Sequence, residues 1–379
     1  MSKFRKRQLW LAVHRWLGLT AGLVFSLIGL TGSVLVFDHA IDEWLNPQLL
    51  LTDGTGTRLP LQQIIESAER YTGEPALSLS KPRIDNGVFE VWFQAGSEED
   101  PKFAQVLVDP YSGEAKGRRV WGEYLMTYLY RLHFRLLGGE IGGVFVGLVG
   151  LLVIVSLLSG IYLWWPLWRN SLRAAFSIRR NKRNYDIHKT FGIVSSLLLI
   201  VLTFTGIYME FPMVFRSILE LASPMTDHPE GLVSTTNSNV AASAKSLTAD
   251  EALAIASREF PDAKFDHLHP PEGNNGVYEV AFRQAGEVQQ SYGRSQVFLD
   301  QYSGQIIEVR QPSDFTSSDA FAAWQFPLHN GEAFGLLGRW LVCVSGLLPT
   351  ALFVTGVIMV QRRKSKPVKR SRENEKLAA

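Results

Sequence analysis

The stretch His14-Arg15-Trp16-Leu17-Gly18-Leu19-Thr20-Ala21-Gly22-Leu23, which runs on to Leu30-Thr31-Gly32, is written twice in this chain. Gly192, Thr205 and Gly206 follow His188 at the offsets at which Gly18, Thr31 and Gly32 follow His14. A second pair agrees as closely: Gly139, Gly142, Gly150, Ser159 and Gly160 follow His133 as Gly335, Gly338, Gly346, Thr355 and Gly356 follow His329. Each histidine heads a long apolar segment. Leu17 to Phe37, Ile141 to Trp165, Phe191 to Phe211 and Trp340 to Val360 are nearly free of charge, and segments of ~20 residues are long enough to cross a ~30 Å hydrocarbon core. The expected fold is an α-helical membrane protein, with four transmembrane helices in a pseudo-twofold duplicated bundle and two α+β domains between the spans.

Charge sets the expected topology. Lys3, Arg5, Lys6, Arg7 and Arg15 precede or open the first span, Arg169 to Arg183 fill the link between the second and third, and Arg362 to Arg372 follow the fourth. Basic flanks stay on the cytoplasmic side, so both termini are expected there and the intervening domains outside. The net charge of +2 in 379 residues then reports orientation in a lipid bilayer, and no nucleic-acid partner is expected. The predicted layout is 1–40 N-terminus and first span, 41–130 first outer domain, 131–166 second span, 167–187 basic cytoplasmic loop. It continues with 188–212 third span, 213–328 second outer domain, 329–361 fourth span and 362–379 basic cytoplasmic tail. Asp38-His39-Ala40-Ile41-Asp42 follows the first span where a cleavable signal would carry small residues, so that span reads as a retained anchor. Cys343, the sole cysteine, lies inside the fourth span, which leaves the outer domains without disulfides or thiolate metal sites. A bacterial inner membrane with periplasmic domains suits this pattern.

The outer domains repeat as well. Leu59, Gln63, Ile64, Ile65 and Ala68 answer Leu247, Glu251, Ala252, Leu253 and Ala256, a short amphipathic helix opened by Pro60 in one copy and Thr248 in the other. Alternating strands follow, Val88-Phe89-Glu90-Val91-Trp92-Phe93 against Val277-Tyr278-Glu279-Val280-Ala281-Phe282. Each copy closes on an Asp-x-Tyr-Ser-Gly turn, Asp109 to Gly113 and Asp300 to Gly304. Helix, strands and this turn resemble the PepSY domain. Two such domains among four spans, opened by His14-Arg15-Trp16-Leu17-Gly18-Leu19, resemble the PepSY-associated transmembrane family of iron-regulated, PiuB-like proteins, and within it the inner-membrane ferric-siderophore reductases. The resemblance covers nearly the whole chain. It implies haem b in the membrane and reduction of ferric siderophore on the periplasmic side.

The residues lead toward haem on their own. Repeats of like topology pack about a pseudo-twofold axis, so His14 and His188 are expected to pair on the cytoplasmic side, and His133 and His329 on the periplasmic side. A bis-imidazole pair suits a low-spin haem. Zinc would want four N, S or O ligands, and no Cys, Asp or Glu repeats beside His14 or His188. Gly18 and Gly192 serve either macrocycle clearance or close helix packing. His39 stands where the repeat has Met213, itself an axial-ligand type, and is an alternative partner for His133 or His329. Arg131, Arg135 and Arg339 flank the periplasmic histidines as candidates for haem propionates, and Arg15 and Lys189 the cytoplasmic ones, with interfacial snorkelling the competing reading. His228, His267 and His269 have no repeat partners and read as ordinary surface residues.

Two haems, one near each face, imply electron passage from a cytoplasmic or quinol donor to a periplasmic acceptor, with no catalytic acid or base required. Trp92, Tyr111 and Tyr302 are candidate contacts for that acceptor, or else domain core. Three other functions share this architecture: a quinol-linked cytochrome b with a different acceptor, a non-enzymatic PepSY regulator of a peptidase, and a permease. The last is disfavoured by spans without coupling charges.

Overall fold

The computed structural model describes residues 2–97, 101–226, 232–235 and 245–364. His228 and most of the basic C-terminal tail lie outside the described residues. Along the chain run α1 (Lys3–Leu19), α2 (Ala21–Leu35), α3 (Asp38–Leu45) and α4 (Leu61–Thr72), then β1 (Ser78–Ser80), β2 (Phe89–Gly96), β3 (Pro101–Val108) and β4 (Ala115–Val120). After α5 (Leu125–Arg135), α6 (Gly139–Asn170) and α7 (Arg183–Glu210) come α8 (Ala249–Ala256), β5 (Lys264–His269), β6 (Val277–Arg283), β7 (Ser295–Asp300) and β8 (Ile306–Arg310). The described chain ends in α9 (Ser317–Asn330) and α10 (Gly335–Lys364). The described residues form two compact units: a helical one within 1–34, 132–210 and from 341 onward, and a sheet unit within 35–131 and 211–340.

Among the described residues three helices are long and apolar enough to cross a membrane: Gly139–Asn170, Arg180–Glu210 and Glu332–Arg362. A fourth candidate is the pair α1 and α2, which bends by 47°. Thr20 marks the bend: its backbone N–H and its hydroxyl both donate to Trp16 O, at 3.0 and 2.9 Å, whereas the repeat has Val194 there and α7 runs on unbroken. Gly29 of α2 meets Gly346 of α10 so closely that a Cβ on Gly346 would fall 2.6 Å from Gly29 O. Ser33 Oγ adds a 2.7 Å bond to Cys343 O. Small residues thus bring these helices together by main-chain contact.

The second span differs from expectation. The predicted helix over 131–166 breaks after Arg135, because Leu136 and Leu137 take positive φ (46° and 61°) and Gly139 takes 59°, conformations that end a right-handed helix. His133 therefore sits on α5, ahead of the long helix. His329 likewise sits on α9, set off from α10 by Gly331 and Gly335 at φ 85° and 60°.

The two expected outer domains are one sheet. Its order is β4-β3-β2-β1-β5-β6-β7-β8, and β1 joins β5 antiparallel with Leu79 opposite Leu268 and Ser80 opposite His267. Each repeat alone would leave the edge of β1 or β5 unpaired; joining them covers both edges and merges the cores. Ile64, Ile65 and Ala68 of α4 and Ala249, Ala252 and Ala256 of α8 pack in one cluster with Leu79, Phe93, Leu268 and Phe282. The helix N-termini meet too: Asp250 accepts from Leu61 N and Gln62 N at 2.9 and 3.0 Å, and Gln62 Oε1 accepts from Ala249 N at 3.0 Å. Each repeat supplies part of the other's cap.

Candidate functional site

His14 and His188 are held in the same way. Nδ1 of His14 lies 3.0 Å from Ser156 O and 3.0 Å from Ser159 Oγ. Nδ1 of His188 lies 3.1 Å from Leu352 O and 2.9 Å from Thr355 Oγ1. A carbonyl can only accept, so Nδ1 carries the proton and the neutral ring keeps its lone pair on Nε2. The hydroxyls donate to helix carbonyls, Ser159 to Ser156 O at 2.7 Å and Thr355 to Ala351 O at 2.8 Å, which frees their oxygens to receive the imidazole N–H. Glycine follows each hydroxyl and makes room for the ring: a Cβ at Gly160 would lie 3.1 Å from His14 Cε1, and one at Gly356 3.8 Å from His188 Cε1.

His133 has a third seat of this design. Its Nδ1 lies 2.9 Å from Ile28 O and 3.2 Å from Thr31 Oγ1, and a Cβ at Gly32 would lie 2.8 Å from its Cε1. In all three cases the carbonyl belongs to the residue three before the hydroxyl. The Ser/Thr-Gly dipeptides stood in the sequence as repeated small residues, but their role as seats needed the packing of one helix on another. His329 lies on α9 in the sheet unit, and a fourth dipeptide of this kind, Thr205-Gly206, lies on α7 in the helical unit.

The structure brings His14 and His188 together, with ring centroids 6.1 Å apart and planes at 83°. An edge-to-face contact of two rings spans such distances as well. Both ring N–H groups are spent on main-chain carbonyls, so no N–H hydrogen bond passes from one ring to the other. An iron held by an imidazole nitrogen ~2 Å away on each side would set the centroids ~6 Å apart. Gly18 has nothing within 4 Å of a built Cβ, and Gly192 only Leu352 at 3.7 Å. Paired Nε2 acceptors, no adjacent carboxylate, and open glycine faces fit a haem better than a bare dication.

The remaining candidates are placed as follows. His39 is half-exposed on α3, and its Nε2 accepts a hydrogen bond from Arg83, with Asp38 at 3.6 Å; burial and then the Arg83 charge push its pKa down. Met213 is exposed. Arg135 Nε is buried with no hydrogen-bond partner. Arg339 donates from Nε and Nη2 to Val36 O and stacks on Phe37 at 4.8 Å. Arg15 lies over the Trp16 ring at 5.6 Å. Lys189 does not snorkel: its Nζ is buried against Ala174 O, Ser177 O and Asp186 at 2.9, 3.0 and 3.3 Å, closing the basic loop onto α7. Tyr111 packs against Gly54, and Tyr302 donates to Asn274 O at 3.0 Å. Trp92 lines a cavity of about 220 Å³ with His39, Arg83, Glu90, Arg119 and Tyr130. His267 is a clear departure from expectation, since it is 3% exposed and not a surface residue.

No curated protein matches the sequence closely enough to count as a relative. The family model described as the PepSY-associated TM region matches residues 11–363. This match takes in both units and every histidine considered above. The chain is a membrane protein of the PepSY-associated TM region family.

Proposed function

We propose that this chain is a haem b reductase of the bacterial inner membrane that passes electrons from a cytoplasmic or quinol donor to ferric siderophore on the periplasmic side, releasing Fe²⁺. The observation that supports the reading is the His14 and His188 pair, two imidazoles whose Nδ1 protons are held by main-chain carbonyls so that each keeps its lone pair on Nε2, with ring centroids 6.1 Å apart. His133, held at Nδ1 by Ile28 O and Thr31 Oγ1, is the proposed ligand of a second haem within the helical unit. The carbonyl and hydroxyl at each Nδ1 orient the ring and raise its basicity as a ligand, and the glycines keep the ring's place clear. Arg135, with its buried unpartnered Nε, is the group best able to receive a propionate. Since His39 already accepts from Arg83 and Arg339 is engaged by Val36 O, they are the weaker candidates.

Haem, when bound, supplies one-electron chemistry that no side chain here can. Each ferric chelate takes up one electron from the donor, and the fall from three charges to two weakens the iron's attraction to its oxygen ligands. The cavity at Trp92 is below the ~300–1,000 Å³ of a drug-sized pocket, so a siderophore would be met at its mouth by Trp92, Arg83 and Arg119 rather than enclosed. The test is a reduced-minus-oxidised optical spectrum of the purified protein, followed by addition of ferric siderophore to the reduced form. A b-type spectrum that reoxidises with release of Fe²⁺ is expected. A b-type spectrum indifferent to the siderophore would favour a quinol-linked cytochrome b, and colourless protein a PepSY regulator.

A further inference from the structure

His267, His269 and Glu279 each offer a ligand atom, and these atoms lie within 4.8 Å of one another. They share one face of the sheet, because His267 and His269 are two residues apart on β5 and Glu279 is the cross-strand partner of His269. His267 is nine-tenths buried and more, yet its Nε2 has no hydrogen-bond partner. Its other nitrogen is accounted for: Nδ1 lies 3.1 Å from Asp266 Oδ2, so the proton belongs on Nδ1 and the buried Nε2 carries a lone pair. Asp266 is itself fixed by Gly293 N at 2.9 Å and Lys81 Nζ at 3.1 Å. A register shift between Phe265 and His267 lets Asp266 reach the ring of its neighbour, as bulges do when they redirect a side chain. Glu279 receives Gln296 Nε2 at 2.5 Å, and Tyr292 covers the His267 ring at 4.3 Å.

We propose that His267, His269 and Glu279 bind one divalent first-row transition ion, Zn²⁺ or Fe²⁺, with Asp266 as the orienting partner of His267. Two imidazoles and a carboxylate suit either ion and leave a fourth position open. A carboxylate on the far nitrogen of a ligating histidine is the usual second layer of such sites. Ligand bonds of ~2 Å join atoms no more than ~4 Å apart, so the side chains close in by ~1 Å on binding. The other repeat lacks the site. Its register equivalents are Ser78, Ser80 and Glu90, and Glu90 is paired with Arg83 at 3.0 Å. The site needs no haem and is independent of the proposed reductase activity.

The test uses the full-length protein in detergent, stripped with chelator and dialysed against Zn²⁺ or, anaerobically, Fe²⁺. Bound metal is counted by mass spectrometry, and the thermal midpoint is followed with and without metal. One ion per chain and a metal-dependent rise in midpoint are expected. His269→Ala and Glu279→Gln, both at half-buried positions, should lose the ion and the rise while keeping the metal-free midpoint of the parent. Asp266→Asn should weaken binding by ~10–100-fold. Tighter retention of Zn²⁺ or of Fe²⁺ names the ion. Equal metal content in parent, His269→Ala and Glu279→Gln, or no bound ion in the parent, would overturn the assignment.

Discussion

The helical unit and the sheet unit each hold a pair of histidines close together, and they hold them differently. In the helical unit the anchors are neutral: Ser156 O and Ser159 Oγ for His14, Leu352 O and Thr355 Oγ1 for His188. In the sheet unit the anchor is the Asp266 carboxylate, and Glu279 stands across from His269. Neutral seats leave a bound group's charge to be balanced by that group, as a porphyrin dianion balances ferrous iron. Carboxylates bring charge that a bare dication needs. On the reading proposed above, the same side chain would serve a macrocycle in one place and an ion in the other.

The comparison would break most visibly at the ligands. His14→Ala or His188→Ala should remove one haem per chain and leave the ion bound by the sheet, whereas His269→Ala should do the reverse; haem and metal counts on the same samples check both. Next come the glycine seats, which grade by clearance. Gly32→Ala presses a Cβ to 2.8 Å from His133, Gly160→Ala to 3.1 Å from His14, and Gly356→Ala to an ordinary 3.8 Å from His188. Haem retention measured by absorbance should fall in that order, with Gly356→Ala close to the parent. Ser159→Ala removes one acceptor and keeps Ser156 O, a loss of ~1 kcal/mol; haem should stay, and a less basic imidazole should raise its midpoint potential slightly in a spectroelectrochemical titration.

The smallest effect concerns the scaffold that the two repeats share. Asp109 closes its turn by accepting from Tyr111 N and Ser112 N at 2.9 and 3.0 Å and from Thr52. Burial alone would raise its pKa, but these donors together hold it below the usual carboxylate value. A depressed folded pKa means stabilisation that is complete above the unfolded value of ~3.9 and lost as pH falls through the lower, folded value. Thermal melts should therefore show the parent losing more stability than Asp109→Asn between about pH 5 and pH 2.

Much of this was legible in the sequence, and the failures have physical causes. Apolar length and repeated offsets reported the membrane segments, and the helix openings at Pro60 and Thr248 fell where expected. The break after His133 was hidden because it depends on Leu136 and Leu137 in left-handed conformations that leucine does not announce. Fusion of the two outer domains into one sheet rests on the short strand β1, whose three residues carry little periodic signal. The Ser/Thr-Gly dipeptides were visible as a pattern without a purpose, since a seat exists only when another helix lies against it. His267 and His269 read as surface residues because the burial of His267 depends on a neighbouring strand 187 positions away, Ser80 opposite His267, and on Tyr292 above it.

The central claim is that His14 and His188 hold a haem between them. Haem per chain, measured from the reduced-minus-oxidised spectrum of the purified parent and of the His14→Ala and His188→Ala proteins, tests it most directly. The account predicts two b-type haems in the parent and one in each variant. Colourless parent protein, or full haem content in both variants, would contradict it.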